Sequence, residues 1–202
     1  MLRGEGTYTT VDGQRCAMQP GDLVVTPSMA WHDHGNSGGQ PTMWMDMLDW
    51  QVVRFLEKPD LRGLPRRSAD GDSQSRRRPV APLVAGSHAE PDPFDDVLLQ
   101  YTDPTGGPLR PTLGCYLQLL RRGTRTRAHR ETSCAVYHVV AGQGFTTVND
   151  DTFEWEPGDF FVVPPMARHA HGNTGSEPAL LFSAQDVPLL KAVGLYRAEP
   201  SA

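Results

Sequence analysis

Along this 202-residue chain the apolar positions come in short bursts, and each burst ends at a turn-forming pair. Tyr8-Thr9-Thr10-Val11 is aromatic and β-branched, and Asp12-Gly13 behind it is a hairpin turn signal. Gly21-Asp22 leads into Leu23-Val24-Val25, which stops at Pro27. Gly158-Asp159 leads into Phe160-Phe161-Val162-Val163, which stops at Pro164-Pro165. Helix-period stretches are scarce, and only Val52–Leu56 and Val187–Leu195 predict short helices. Many short strands with frequent turn punctuation predict an all-β fold, an antiparallel barrel or a jelly-roll-like sandwich.

The pattern also repeats. Tyr8–Asp49 set against Phe145–Asp186, at a constant offset of 137, gives 17 identities in 42 positions. Among them are Pro20-Gly21-Asp22 with Pro157-Gly158-Asp159, and His32-x-His34-Gly35-Asn36 with His169-x-His171-Gly172-Asn173. Self-similarity of this kind means two copies of one structural module. We expect a partial first module over 1–57, a linker or arm over 58–93, and a second module over 94–202. The linker assignment follows from composition, since that stretch is rich in Arg, Ser, Pro, Gly and Asp and poor in large apolar residues.

Charge narrows the partners. The formal net charge is −5, and the arginine runs at 66–67, 76–78 and 121–122 are balanced by acids and not interleaved with aromatics. This argues against nucleic acid and against an anionic membrane. No apolar run approaches membrane-spanning length, and the first residues lack the apolar stretch of a signal peptide. Cys16, Cys115 and Cys134 are odd in number and widely spaced, so neither a disulfide framework nor a cysteine zinc site is expected. A cytoplasmic protein is the expectation. Nucleophile-elbow, phosphate-loop and dinucleotide motifs are all missing, which leaves hydrolase, kinase and nicotinamide chemistry without support.

The histidines carry the remaining signal. The second copy has Gly123, five residues, then His129-Arg130-Glu131; later it has Gly158, five residues, Pro164, then His169, three residues, and Asn173. The first copy repeats only the later part, with Gly21, Pro27, His32 and Asn36. These spacings resemble the two motifs of the cupin family, with Glu131 in place of the second histidine and Met166 in place of a motif glycine. The resemblance implies two double-stranded β-helix modules, the first incomplete. Residues two apart on a strand share a face, so such a pair projects both side chains into the barrel. His129, Glu131 and His169 could form a 2-His-1-carboxylate set suited to non-haem iron. The alternative is a supporting barrel with His129 and His169 hydrogen-bonded internally. His138 reads as a core or interface histidine, and Trp31, Trp44 and Trp155 as core or cavity wall.

Longer runs sharpen the resemblance. Trp31-His32-Asp33-His34-Gly35-Asn36, Trp44-x-Asp46-x-Leu48-Asp49, Tyr101-Thr102-Asp103-Pro104-Thr105-Gly106-Gly107 and Ala135-Val136-Tyr137-His138-Val139-Val140 are similar to gentisate 1,2-dioxygenases. The same pattern resembles salicylate and 1-hydroxy-2-naphthoate dioxygenases. What the resemblance implies is an oligomeric, Fe(II)-dependent oxidoreductase of aromatic catabolism, acting on a small aromatic acid with O2. By that resemblance His32 is an iron ligand, His34 hydrogen-bonds substrate or oxygen intermediate, and Asp46 orients the site. The offset sets the counterparts of His129 and Glu131 before Met1, so we expect a shortened first module lacking two ligands and impaired activity. The competing expectation is a non-catalytic cupin, a binding or assembly protein with a relict site.

Overall fold

The computed structural model describes residues 1–27, 30–56 and 90–200, and the backbone alone of 76–79. It divides into two units, Met1–Leu83 and Val84–Ala202.

The N-terminal unit contains β1 (Thr7–Val11), β2 (Gln14–Ala17), β3 (Asp22–Val25), β4 (His32–Asn36), α1 (Trp50–Phe55) and β5 (Arg76–Pro79). The β1–β2 hairpin turns at Asp12 and Gly13, both at positive φ (43° and 89°). That is what a two-residue primed turn requires, and Asp followed by Gly meets it at low cost. β1 lies between β2 and β4, in register Thr9↔His34 and Val11↔His32. Its side chains alternate, with Thr7, Thr9 and Val11 buried. β3 pairs antiparallel with β5, so a strand forms inside the stretch expected as linker. Backbone pairing to a neighbouring edge overrides the polar composition there. The rest of that expected linker, apart from 90–93, lies outside the described residues.

The C-terminal unit runs β6 (Val97–Gln100), β7 (Gly114–Leu120), β8 (His129–Glu131), β9 (Ala135–Ala141), β10 (Gly144–Val148), β11 (Asp151–Trp155), β12 (Phe160–Val163), β13 (His169–Asn173), β14 (Ala179–Gln185), α2 (Val187–Ala192) and β15 (Ala198–Pro200). Two five-stranded sheets form, in the orders β11-β10-β13-β8-β15 and β12-β9-β14-β7-β6. The expected all-β class holds, with only two short helices described, each starting or stopping within three residues of its predicted end. Leu120, Tyr137, Val139, Trp155, Phe161, Val163 and Leu181 make the core. Just before β6, Asp96 is 1% exposed and accepts from the backbone N–H (2.7 Å) and guanidinium Nε (2.8 Å) of Arg121, just past the end of β7, which pairs the buried charge. Among the described residues no helix is long and apolar enough to cross a membrane.

Candidate active site

The repeated polar residues turn out to be tethers that aim the histidine strands. Asp12 Oδ1 accepts from the Trp31 backbone N–H (3.1 Å), and Asn149, 137 positions on, accepts from that of Arg168 (3.0 Å). Each tether holds the residue just before a histidine strand. Asp22 and Asp159 accept from the backbone N–H of Gln19 and Glu156 and close the turn before β3 and β12. Asn36 and Asn173 accept from Gly38 and Gly175, both at 2.8 Å, and close the far end. Gly35 and Gly172 sit beneath the rings of Tyr8 and Phe145, where an added Cβ would collide with the ring. Met166, at the motif-glycine position, adopts φ +60°, the left-handed region that costs a branched or long residue about 1 kcal/mol. The motif therefore specifies a strand entry, a strand and a strand exit.

Within that frame the two copies hold their histidines alike. His32 Nδ1 lies 3.1 Å from the Ala30 carbonyl oxygen, and His169 Nδ1 lies 3.1 Å from that of Ala167. A carbonyl only accepts, so Nδ1 carries the proton in both and Nε2 keeps a lone pair. Metal-binding histidines are oriented this way. His34 and His171 pair through Nδ1 with Thr9 Oγ1 (2.8 Å) and Thr146 Oγ1 (2.9 Å). His32 and His34 have ring centroids 5.7 Å apart, His169 and His171 5.6 Å.

Surroundings separate the copies. In the C-terminal unit β8 lies against β13, with His129 opposite His169, and both β13 histidines are buried. In the N-terminal unit β4 is the outer strand of its sheet among the described residues, and His32 and His34 are exposed. Trp44 lies over His34 at 5.3 Å, forming one wall. Asp46 is exposed and its carboxylate acts on the Met1 ammonium group.

The C-terminal barrel encloses a cavity of about 180 Å³, lined among others by Asp95, Tyr116, His129, Glu131, His169 and Tyr196. The rings of His129 and His169 lie 4.2 Å apart with their planes inclined at 54°, and His129 Nε2 is 3.8 Å from Glu131 Oε1. Glu131 also accepts from Ser133 Oγ (2.7 Å) and from the Tyr196 hydroxyl. Burial holds His169 down to about 4, helped by the neighbouring His129. Burial also pushes Asp95 up to about 6, against the pull of His129 and with Asp92 and Glu131 adding to the rise. His171 is driven well below the ordinary imidazole range, again mainly by burial.

So the structure brings His129, Glu131 and His169 together, and separately His32 with His34. Neither set is complete for a metal: among the described residues no group of three or more His, Cys, Asp or Glu side chains is arranged to hold one. Asp95, Tyr116, Tyr196 and the two threonines were not singled out from sequence. The threonines were detectable, since both fall among the repeat identities. Asp95 and the tyrosines reach the cavity only through tertiary pairing.

Comparison with known proteins agrees with this geometry. The cupin domain family matches residues 1–48 and 116–184. A 5-aminosalicylate 1,2-dioxygenase from Comamonas sp is 36% identical over 99% of this chain and 61% of its own length. Gentisate 1,2 dioxygenase 1 from Aquipseudomonas alcaligenes is 34% identical over 98% of this chain and 65% of its own. The crystal structure of a salicylate 1,2-dioxygenase from Pseudaminobacter salicylatoxidans superposes with a TM-score of 0.82 at 27% identity, covering 98% of this chain and 67% of that one. The chain thus spans 61% and 65% of the length of these two curated relatives. With its repeated histidine strands, it belongs to the cupin family and is a homologue of the gentisate and salicylate 1,2-dioxygenases.

Proposed function

We propose that this chain serves an Fe(II)-dependent, ring-cleaving dioxygenase of gentisate (2,5-dihydroxybenzoate) or a related hydroxylated aromatic acid, working in aromatic catabolism as a cytoplasmic homo-oligomer. The observation that supports this most is His32, whose Nδ1 is occupied by the Ala30 carbonyl and whose Nε2 is free to ligate, beside His34 and Trp44. Iron would supply activation of O2 and of a ring bearing a carboxylate and an ortho hydroxyl. The residues described fit one ligand of such a site and do not complete it. What they do offer is a binding wall. Trp44 stands beside His34 and gives an aromatic ring a flat surface to pack on, while His34 hydrogen-bonds a polar substituent. We assign the N-terminal module, 1–57, to this site and the C-terminal module, 94–202, to support.

The incomplete ligand set favours a second reading, a non-catalytic cupin that binds or assembles without turnover. Oxygen consumption separates the two. Protein loaded anaerobically with Fe(II) is expected to take up O2, at a rate impaired by the incomplete ligand set, when gentisate, 5-aminosalicylate or 1-hydroxy-2-naphthoate is added, with loss of the aromatic absorbance. Iron-loaded protein that binds these acids but consumes no O2 would support the second reading.

A further inference from the structure

One buried difference between the copies decides where a histidine carries its proton. In the C-terminal copy the Trp155 indole N–H donates to Thr146 Oγ1 (2.9 Å), and the same oxygen lies 2.9 Å from His171 Nδ1. A threonine hydroxyl has one proton to give. Thr146 is 0% exposed, and its oxygen already receives the indole proton, so its own proton goes to Nδ1. His171 is then protonated on Nε2. That leaves one buried group unpaired, the Nε2–H. The opposite tautomer would leave two, the Nε2 lone pair and the threonine O–H, and each unpaired buried group is costly.

In the N-terminal copy Thr9 and His34 keep the same contact at 2.8 Å. Met18, however, stands where Trp155 stands, 137 positions earlier. A thioether accepts and cannot donate. Thr9 Oγ1 is 3.4 Å from Met18 Sδ, in a geometry where the hydroxyl donates to sulfur. Two bonds can then run in series, Nδ1–H to Thr9 and Thr9 O–H to Met18. Sulfur is a weak acceptor, but its bond comes in addition to the histidine–threonine bond. The opposite tautomer makes one bond only, with the thioether left as a packing contact. His34 is exposed, so water satisfies Nε2 in either state and the interior bonds decide.

We infer that Met18, acting through Thr9, holds His34 as the Nδ1–H tautomer, so that His34 presents an Nε2 lone pair able to accept a hydrogen bond from a ligand hydroxyl. His171 is fixed in the opposite tautomer. Met18 is therefore a positioning residue, and the two copies are wired differently at one shared contact. The tautomer stands on geometry alone; only the identification of that hydroxyl with a hydroxylated aromatic acid rests on the function proposed above.

The test is the nitrogen-15 spectrum of histidine-labelled, metal-free protein at about pH 8, above the usual imidazole pKa. Resonances are assigned by loss in His34→Gln and His171→Gln. His34 is expected to be protonated mainly on Nδ1 and His171 on Nε2. Met18→Leu, close in volume but without an acceptor, is expected to invert the His34 tautomer ratio and leave His171 unchanged. His34 protonated mainly on Nε2 in the parent, or unmoved by Met18→Leu, would overturn the inference. Should Met18→Leu fail to fold, the parent spectrum decides alone. This readout needs no iron and no turnover, so its failure and the failure of the dioxygenase proposal remain distinct.

Discussion

Asp95→Asn is expected to stabilise the metal-free protein at about pH 7 by about 2 kcal/mol and to change the shape of its pH dependence. Asp95 titrates at about 6 in the folded chain against 3.8 ordinarily, chiefly because burial opposes its charge. A raised carboxyl favours the folded state when protonated. Its contribution is full below 3.8 and is lost as pH rises through about 6, so at neutral pH the ionised group is a burden. The full shift would convert to about 3 kcal/mol, and partial exposure of the side chain reduces it. Asparagine keeps an oxygen for the Gln118 Nε2 donor, now 3.1 Å from Oδ1.

His169 works in the other direction. Its titration is depressed from 6.5 to about 4, so its contribution is present above 6.5 and is lost as pH falls through about 4. In the parent the two groups oppose one another across nearly the same window, and stability there should be nearly level. Removing Asp95 uncovers His169, and the variant should lose stability steeply on acidification. Urea unfolding at a series of pH values reads both effects. A variant no more stable than the parent at neutral pH, with an unchanged pH profile, would show that the cavity does not penalise the carboxylate.

The largest loss of stability is expected from Leu181→Ala, about 3 kcal/mol. Leu181 is 1% exposed on β14, the strand flanked by β7 and β9, opposite Gln118 on one side and Val139 on the other. It packs in the cluster that contains Leu120, Tyr137, Val139, Trp155 and Phe161. Alanine there removes buried methyl groups and leaves a cavity that two hydrogen-bonded neighbours cannot close. The urea midpoint of the C-terminal unit should fall with an unchanged slope. A loss below about 1 kcal/mol would mean that the two sheets relax together more freely than a packed barrel does.

The chain's own repeats made much of this legible in advance. A period of 137 residues predicted two copies, and the tethers Asp12 and Asn149, Asp22 and Asp159, and Asn36 and Asn173 each recur with the same partner offsets. These are local contacts whose residue types and spacing carry the geometry. The strand Arg76–Pro79 was hidden because an arginine run has no hydrophobic period, and its pairing with β3 is made through the backbone. Asp95 was hidden for a different reason. It reaches the cavity beside His129 and Glu131, residues more than thirty positions away, and no local pattern announces such a meeting. The Thr–His contact lay between these cases: both threonines were visible as identities, but the Met18/Trp155 difference gained meaning only once the hydrogen bonds were placed.

The central claim is that the N-terminal module, through His32, carries the metal chemistry, and that the histidine pair of the C-terminal cavity does not. Iron content after anaerobic Fe(II) loading and desalting, compared among parent, His32→Ala and His169→Ala, tests this directly. With a single protein ligand at the site, the parent is expected to retain iron at well below one atom per chain, His169→Ala to retain as much, and His32→Ala to retain none. An iron-free parent, or iron that survives His32→Ala and disappears with His169→Ala, would contradict it.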